Sequence, residues 1–534
     1  MVPVPVPHFH TIEIAADLNK EAPMATAASI PVPRVARFPM RLAPTLPDLF
    51  FAILLAAWFG QPAVWQGLLG DGDTGWHIRT GEILLGSGHV PARDPFSFWR
   101  AGERWYAWEW LSDAIFAEFH RWRGLEAVAA LAVVVVCLWA SVLFAWLLDR
   151  GAGAWISLGV TLGAVSASSI HFLARPHLFS LLLLAPALWT IDRDRRAPDH
   201  RLWWLVPLAA LWANLHAGFA GWLAILAWLV AASALERNGA AARRYGLLAA
   251  LSTLATLANP YGWQLHRHIL SYLNSPWILD HVEEFQSPRI RSESMLVFAA
   301  LLLGAVALGA RRWRRTRWFE SGLVLIWGFE ALRSARHIPW FTVVAAPVIA
   351  SACADWWRER AGQAPRRSAW RILWEVSEDL GRRARPTAWL PVLGALALGA
   401  VLPRSGLADF PGVRFPVEAV ARNVDRLTGG DPSHVAPPRV LAPDQWADYL
   451  IYRLYPRARV FFDGRSDFYG PAAGEDYRTL LGAGTNWPQV MARYGFSVAL
   501  LPLDWPLGRL LEREPGWRVV YRDRQAVLLE RTEP

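Results

Sequence analysis

Residues 128–148 read VAALAVVVVCLWASVLFAWLL, a run without a single charged side chain. A helix needs about 20 apolar residues to cross a bilayer, so this run predicts a membrane-spanning helix. Further uncharged runs lie at residues 50–58 and 296–309. Only 19% of the 534 residues are charged, against roughly 25% in a soluble protein. The sequence therefore predicts an α-helical polytopic membrane protein.

The arginines indicate how the chain is threaded through the membrane. They cluster in short segments between the apolar runs, and such segments stay on the cytoplasmic side. With segments 192–201, 311–317 and 354–386 inside, the N-terminus lies inside, the C-terminal part lies outside, and about eleven spans result. The predicted spans are 48–70, 126–148, 153–174, 177–191, two short spans within 203–235, 246–258, 294–310, 318–333, 338–353 and 387–403. A re-entrant pair is the alternative for 203–235. Because the arginines are placed in this way, the net charge of +9 does not indicate a nucleic-acid-binding protein.

Three regions differ in composition. Residues 1–44 are rich in Pro, Ala and Val and lack a signal-peptide pattern, which predicts a disordered cytoplasmic tail with its start at Met1 or Met40. Residues 45–404 are the predicted transmembrane domain, with a first outer loop at 71–125 and an amphipathic Trp/Arg segment at 354–386 on the inner membrane surface. Residues 405–534 predict a small extracytoplasmic α/β domain. The predicted strands are 459–462, 497–501, 518–521 and 526–529, and the predicted helices are 444–454 and 487–494.

The chain has two cysteines, Cys137 and Cys353, and both lie in apolar runs. This placement predicts small buried side chains and indicates neither a disulfide framework nor a metal site.

Unusual polar residues fall on one side of the predicted membrane. They lie in outer loops or at the outer ends of spans, and they are Asp71, Asp73, His77, Asp94, Glu109, Arg175, His177, Asn214, His216, Asn259 and His337. Ionisable groups at membrane depth are costly, so they indicate one shared, outward-facing functional site. The alternative is that outer loops are simply polar.

The first outer loop opens with Asp71-Gly72-Asp73. In an extended segment, residues i and i+2 point the same way, so we expect the two carboxylates to converge. They could hold a divalent cation, or one could act as a general base, although the motif alone is a weak signal. After Glu109, the apolar and aromatic residues of 110–122 predict a helix in the membrane interface. That helix either roofs a lipid-facing groove or serves packing alone.

These motifs together resemble a known superfamily. The Asp-x-Asp of the first loop is followed by Trp76-His77, by Asp94-Pro95-Phe96-Ser97 and by Glu109-Trp110-Leu111. Further matching pieces are Arg175-Pro176-His177, Trp212-Ala213-Asn214-Leu215-His216, Asn259-Pro260-Tyr261-Gly262, Ile338-Pro339, Trp446-Ala447-Asp448-Tyr449-Leu450 and Phe462-Asp463-Gly464-Arg465. The pattern resembles the C-type (GT-C) glycosyltransferases, and more narrowly a group of predicted bacterial membrane glycosyltransferases.

The resemblance implies transfer of a sugar from a polyprenyl-phosphate-linked donor to an acceptor at the outer face of a bacterial inner membrane, usually with inversion. It implies that Asp71 or Asp73, with Glu109 as a further candidate, takes the proton from the acceptor. It implies that Arg175, His177, His216 and His337 bind the donor phosphate, although Arg175 could instead pair with a first-loop carboxylate. His77, Asp94, Asn214 and Asn259 would line the site. The resemblance leaves open whether a divalent cation such as Mg or Mn takes part.

The C-terminal region resembles the outer domain of oligosaccharyltransferases more weakly. Trp446, Asp448 and Tyr449 keep part of an acceptor-binding Trp-Asp-Tyr-Gly motif whose glycine is here Leu450. Asp463-Gly464-Arg465 fits a turn held by an internal salt bridge.

Two other function classes remain open. One is a transporter or flippase for a lipid or sugar, although the polar breaks lie at the outer ends of spans and not at the bilayer midplane, where transporters carry them. The other is a catalytically inactive envelope-assembly protein of the same fold.

Overall fold

The computed structural model describes residues 44–312, 318–382, 389–401, 408–430 and 437–532. It is mostly helical, with a small sheet near the C-terminal end, as the sequence predicts. All but the last residue of the predicted tail 1–44, most of the Arg-rich segment 311–317 and the ends of the span 387–403 lie outside the described residues.

The first sixteen helices carry the apolar runs and the loops between them. They are α1 (Leu46–Phe59), α2 (Pro62–Leu68), α3 (Asp73–Ser87), α4 (Trp110–Asp149), α5 (Ala154–Ser168), α6 (His177–Arg196), α7 (Leu205–Leu215), α8 (Phe219–Leu235), α9 (Gly239–Ala255), α10 (Trp263–Leu273), α11 (Pro276–His281), α12 (Glu293–Arg312), α13 (Trp318–Arg333), α14 (Ile338–Gln363), α15 (Ala369–Gly381) and α16 (Trp389–Val401). Short 3₁₀ turns lie at Ser169–His171, His200–Trp204, Glu283–Phe285 and Ala335–His337.

Within the described residues, three helical segments are long and apolar enough to cross a membrane: Trp110–Asp149, Ala154–His171 and Ala335–Gln363. Helices α1 and α2 together make a fourth candidate, bent by 91° where Gly60 and Pro62 interrupt the run. The eleven spans and their orientation therefore stay a prediction.

The polar breaks in the apolar runs are confirmed as helix boundaries. Helix α6 begins at His177, directly after Arg175 and Pro176, and the run 203–235 divides into α7 and α8. The predicted interfacial helix after Glu109 is the first part of α4. It kinks at Arg123 and Gly124, where Gly124 adopts φ +66°, before the span that contains the 128–148 run. Glycine allows this left-handed conformation at little steric cost.

The C-terminal region contains α17 (Val417–Arg422), α18 (Val424–Thr428), β1 (Val440–Leu441), α19 (Asp444–Leu454), α20 (Ser466–Leu481), α21 (Trp487–Tyr494), β2 (Val498–Pro502), α22 (Pro506–Leu511), β3 (Trp517–Arg522) and β4 (Ala526–Arg531). The strand order is β1-β2-β4-β3, with β1 parallel to β2 and the other pairs antiparallel.

Three of the four predicted strands and both predicted helices of this region are confirmed, whereas the strand at 459–462 is wrong. Val460 forms only isolated bridges, to Ser97 and to Val440. The chain there joins the first loop to the sheet and does not continue a ladder.

The first loop and the C-terminal region pack against each other at very short range. A Cβ on Gly72 would lie 2.4 Å from the carbonyl oxygen of Gln445, and one on Gly75 would lie 2.7 Å from that of Asp448. Any side chain larger than a hydrogen atom at Gly72 or Gly75 would hold α19 away from the first loop. Residues 44–534 accordingly form one compact unit, and the proposed domain boundary at 405 stays a prediction.

Candidate active site

A cavity of about 460 Å³ lies where several helix breaks meet. The breaks are those before α6, between α7 and α8, and between α13 and α14, together with the segment from α10 to Phe285. The polar and charged side chains that line it are His77, Glu109, His171, Arg175, His177, His216, Tyr272, Glu284, Glu330, Arg333, Ser334, Arg336 and His337. The four residues predicted to bind the donor phosphate, Arg175, His177, His216 and His337, therefore open onto one cavity.

Arg175 is held by three carboxylates. Its Nη1 lies 3.0 Å from Asp71 Oδ2 and also contacts Glu284, and its Nη2 lies 2.7 Å from Asp73 Oδ2. Both ends of the guanidinium fork are thus engaged by protein acids. Of the two roles that the sequence allowed for Arg175, the structure shows the pairing with first-loop carboxylates.

The two aspartates converge, but not in the predicted way. The expected extended segment is wrong, because Asp73 is the first residue of α3. Asp71 lies just before that helix, and its Oδ1 accepts a hydrogen bond of 2.9 Å from the backbone N–H of Asp73. The carboxylates meet because both reach Arg175, not because a strand aligns them.

Asp73 is buried against the C-terminal region. Burial raises its pKa to about 7, with Asp71 and Glu284 adding to the effect and Arg175 opposing it. A Cβ on Gly464 would lie 2.1 Å from Asp73 Oδ1 and 2.9 Å from Asp448 Oδ2, so the two carboxylates share a very small space. Burial and the neighbouring Asp73 likewise raise the pKa of Asp448. The backbone N–H of Gly464 donates to Asp448 over 3.1 Å.

Glu109 lies on the cavity wall, unlike Asp71 and Asp73. Its carboxylate is 3.8 Å from His77 Nε2 and 3.5 Å from His216 Nε2. Burial raises the pKa of Glu109 to about 8, against the opposing charge of Arg175. A carboxyl group that titrates near neutral pH suits general acid–base chemistry.

A second buried pair stands behind Glu109. His77 Nδ1 lies 2.6 Å from Asp113 Oδ1, and both side chains are almost fully buried. Burial lowers the pKa of His77. This hydrogen bond fixes the His77 ring whose other nitrogen faces Glu109.

The remaining histidines are fixed at different points of the wall. His177 Nε2 lies 2.6 Å from the carbonyl oxygen of His171, which accepts a hydrogen bond from it. His216 Nδ1 lies 2.7 Å from Ser180 Oγ. His337 directly follows Arg336 in the 3₁₀ turn before α14.

Three predicted site-lining residues have structural positions away from the cavity wall. Asp94 closes a turn by accepting hydrogen bonds from Ser97, and it pairs with Arg465 at 2.9 Å. Asn214 accepts a hydrogen bond from Trp110 Nε1 and donates to the carbonyl oxygen of Ala258. Asn259 caps its own turn by donating to the carbonyl oxygens of Thr256 and Gly262.

The residues predicted for acceptor binding also lie inside the protein. Trp446 is buried and donates to the carbonyl oxygen of Arg414, and Tyr449 is buried with its hydroxyl accepting from Arg453. Asp448 faces Asp73 instead of an open surface. Asp463 and Arg465 form the expected internal salt bridge at 2.6 Å.

Sequence reasoning missed several residues at or near this site, among them Asp113, Tyr272, Glu284 and Arg336. Asp113 stands four positions after Glu109, a spacing that places both on the same face of a helix. Glu284 and Arg336 lie in short turns and Tyr272 lies near the end of α10, where no motif singled them out. Arg336 directly precedes the predicted His337, which was the available signal.

Within the described ranges, no group of three or more His, Cys, Asp or Glu side chains is arranged to hold a metal ion. The carboxylates of Asp71, Asp73 and Glu284 lie together, but they surround the Arg175 guanidinium. A Mg or Mn ion would have to displace that cation, so these residues as placed do not fit a metal site.

No protein-family model matches the sequence, and no curated protein matches it. Solved structures do. The archaeal oligosaccharyltransferase AglB from Archaeoglobus fulgidus, in complex with an inhibitory peptide and a dolichol-phosphate, matches with a TM-score of 0.54 and 12% identity over 85% of this chain and 69% of that chain. The oligosaccharyltransferase of the same organism tethered to an acceptor peptide matches with a TM-score of 0.53 and 11% identity, over 85% and 68%.

The chain has the fold of these oligosaccharyltransferases. ArnT from Cupriavidus metallidurans, bound to undecaprenyl phosphate, also matches, with a TM-score of 0.47 and 12% identity over 90% of this chain and 97% of that chain. In this chain, Arg175 lines the cavity and pairs with Asp73, which packs against the C-terminal region.

Proposed function

We propose that this chain is a membrane glycosyltransferase that moves a sugar from a polyprenyl-phosphate-linked donor to an acceptor at the outer membrane face. The observation that carries the proposal is the composition of the cavity. The cavity is lined by Glu109, Arg175, Arg336 and five histidines as well as by apolar side chains. A lipid phosphate likewise combines a charged head with an apolar chain.

Support for the donor class comes from the fold. AglB, which shares it, was solved with a dolichol-phosphate. The apolar wall here is formed by small residues of α8, including Ala220 and Gly221, and by Ile326 and Trp340 of α13 and α14. Such a wall suits an isoprenoid chain, since branched apolar tails pack against small side chains without desolvating polar groups.

We assign Glu109, in preference to Asp71 and Asp73, as the general base that takes the proton from the acceptor. The acceptor hydroxyl attacks the anomeric carbon, its proton passes to the Glu109 carboxylate, and the bond from that carbon to the lipid phosphate oxygen breaks with the electron pair leaving on phosphate. Asp71 and Asp73 are occupied by Arg175 and do not line the cavity. Attack from the face opposite the leaving group inverts the anomeric centre.

The test is a transfer assay with purified protein, polyprenyl-phosphate-linked sugars and an extract that contains acceptors from the outer face of the membrane. Glu109→Gln keeps the size of the side chain but removes the base, and we expect a loss of about 10²- to 10⁴-fold. Glu118→Gln is the matched control, because Glu118 lies on the same helix with a side chain that is 54% exposed. Full transfer by Glu109→Gln would refute the assignment of the base. Movement of the lipid-linked sugar across vesicles without any transfer would instead establish a flippase.

A further inference from the structure

Arg336 differs from Arg175 in what its guanidinium contacts. It lies in the 3₁₀ turn Ala335–His337 between α13 and α14 and lines the cavity. Its Nη1 is buried, yet no group of the described residues accepts a hydrogen bond from it. Arg175, by contrast, donates to Asp71 and Glu284 and pairs with Asp73.

The position of Arg336 is fixed by its surroundings. Its Cζ stacks over the ring of Phe285 at 4.4 Å from the ring centroid. The turn is tied to the neighbouring segment, because Ser334 Oγ donates to the carbonyl oxygen of Glu284 over 2.9 Å and the Ala335 N–H donates to that of Gln286 over 3.0 Å. These contacts hold the guanidinium of Arg336 at the cavity wall.

The polar side chains beside Arg336 do not complete its hydrogen bonds. Tyr272 hydrogen-bonds the Arg336 side chain and Glu284 attracts its charge, but the carboxylate of Glu284 already contacts Arg175, and Nη1 of Arg336 is left without an acceptor among the described residues. A buried guanidinium N–H without an acceptor is costly, and an anion in the cavity removes that cost. The planar fork of arginine also donates two parallel hydrogen bonds to phosphate oxygens.

We propose that Arg336, and not Arg175, binds the phosphate group of a lipid phosphate in this cavity. The lipid identity rests on the proposed function, whereas the anion site rests on Arg336 alone. His337 Nδ1, which also lacks a hydrogen-bond partner among the described residues, lies next to it as a second polar group. The lipid chain then follows the wall of Ala220, Gly221 and Trp340.

The test is a binding measurement on the purified full chain in detergent, with undecaprenyl phosphate, undecaprenol and inorganic phosphate as probes. We expect Arg336→Gln to weaken binding of undecaprenyl phosphate by about 10- to 100-fold, the loss of one charge-assisted hydrogen bond. Undecaprenol, which lacks the anion, should bind equally to both proteins. Arg336→Lys should fall in between, since it keeps the charge without the fork.

Arg291→Gln is the matched control, because Arg291 is exposed in the segment before α12. Unchanged affinity of Arg336→Gln for undecaprenyl phosphate overturns the proposal, as does a loss that undecaprenol shares. If inorganic phosphate binds as tightly as the lipid and depends equally on Arg336, the lipid source is refuted. If Arg336→Gln does not fold, an Arg336→Lys protein with wild-type affinity refutes the role of the fork.

This outcome is separate from that of the transfer assay. Binding that depends on Arg336 in a protein that transfers no sugar refutes the glycosyltransferase and leaves the anion site standing. Transfer by a protein whose lipid affinity does not depend on Arg336 refutes only the residue assignment.

Discussion

Gly81 sets the distance between α3 and α4, and replacing it with alanine should damage both the fold and the site. A Cβ there would lie 1.9 Å from the backbone oxygen of Asp113, 2.5 Å from its carbonyl carbon and 2.7 Å from Ala117 Cβ. Because the nearest atoms belong to the backbone, no change of rotamer relieves the clash. To restore even 3.0 Å, α3 must retreat from α4 by about 1 Å.

This retreat has a calculable cost. His77 lies one turn before Gly81 and is 2.6 Å from Asp113 Oδ1, a hydrogen bond that does not survive a shift of about 1 Å. Overpacking costs about 1–3 kcal/mol, and leaving the buried His77–Asp113 pair unsatisfied adds about 1–3 kcal/mol. We expect Gly81→Ala to lose about 2–6 kcal/mol of stability. Glu109 would also lose the ring that faces it.

Gly86 provides the matched control on the same helix. It is exposed, and a Cβ there would meet nothing within 4 Å. Gly86→Ala should therefore stabilise α3 by up to about 1 kcal/mol through helix propensity. The assay is the apparent unfolding temperature in detergent, read from tryptophan fluorescence, with transfer activity measured in parallel. If Gly81→Ala unfolds at or above the temperature of Gly86→Ala, the close approach of α3 and α4 is not as described.

Three further predictions concern charge and topology. Arg175→Ala removes the cation that Asp71, Asp73 and Glu284 share and leaves their carboxylates together. We expect the free energy of unfolding to fall by about 3–5 kcal/mol, measured as a lower unfolding temperature. An unchanged unfolding temperature would show that Arg175 does not hold the loop in place. The pKa of Glu109 is raised to about 8 and the base must be unprotonated, so transfer should increase from pH 6 to 8 and level off above; a rate that falls over this range contradicts the role. A reporter that works only outside the cytoplasm should be active when fused to the C-terminus, and activity of a cytoplasm-only reporter would reverse the proposed threading.

The sequence was sufficient for features that depend on neighbouring residues. The apolar run 128–148 predicts a helix because its length alone satisfies the bilayer, and Pro176 predicts a helix boundary because proline disrupts a helix locally. The motif residues Arg175, His216 and His337 were also found, since charged and polar groups between apolar runs stand out in composition.

Features that depend on distant residues could not be read in this way. The carboxylates that hold Arg175 come from the first loop and from Glu284, which lies 109 positions away. Nothing in the motif Asp71-Gly72-Asp73 indicates that Asp73 begins a helix or that Gly464 brings Asp448 against it. The predicted strand at 459–462 failed for the same reason, because its partners are single residues of two different segments.

The sequence by itself determined that the chain is a helical membrane protein with a small C-terminal sheet and a polar site at its helix breaks. Hydrophobic length, proline and charge placement act over a few residues and need no knowledge of the packing. Only the tertiary structure decided that Arg175 is paired with three carboxylates and that Nη1 of Arg336 has no hydrogen-bond acceptor among the described residues. Arg175 and Arg336 look alike in sequence, but their roles follow from acids and rings brought near by contacts across the fold, such as the hydrogen bond of 2.7 Å from Gly72 N–H to Gln445 Oε1, 373 positions apart. The interaction energy of two charges depends on the distance between them in space, and the fold sets that distance.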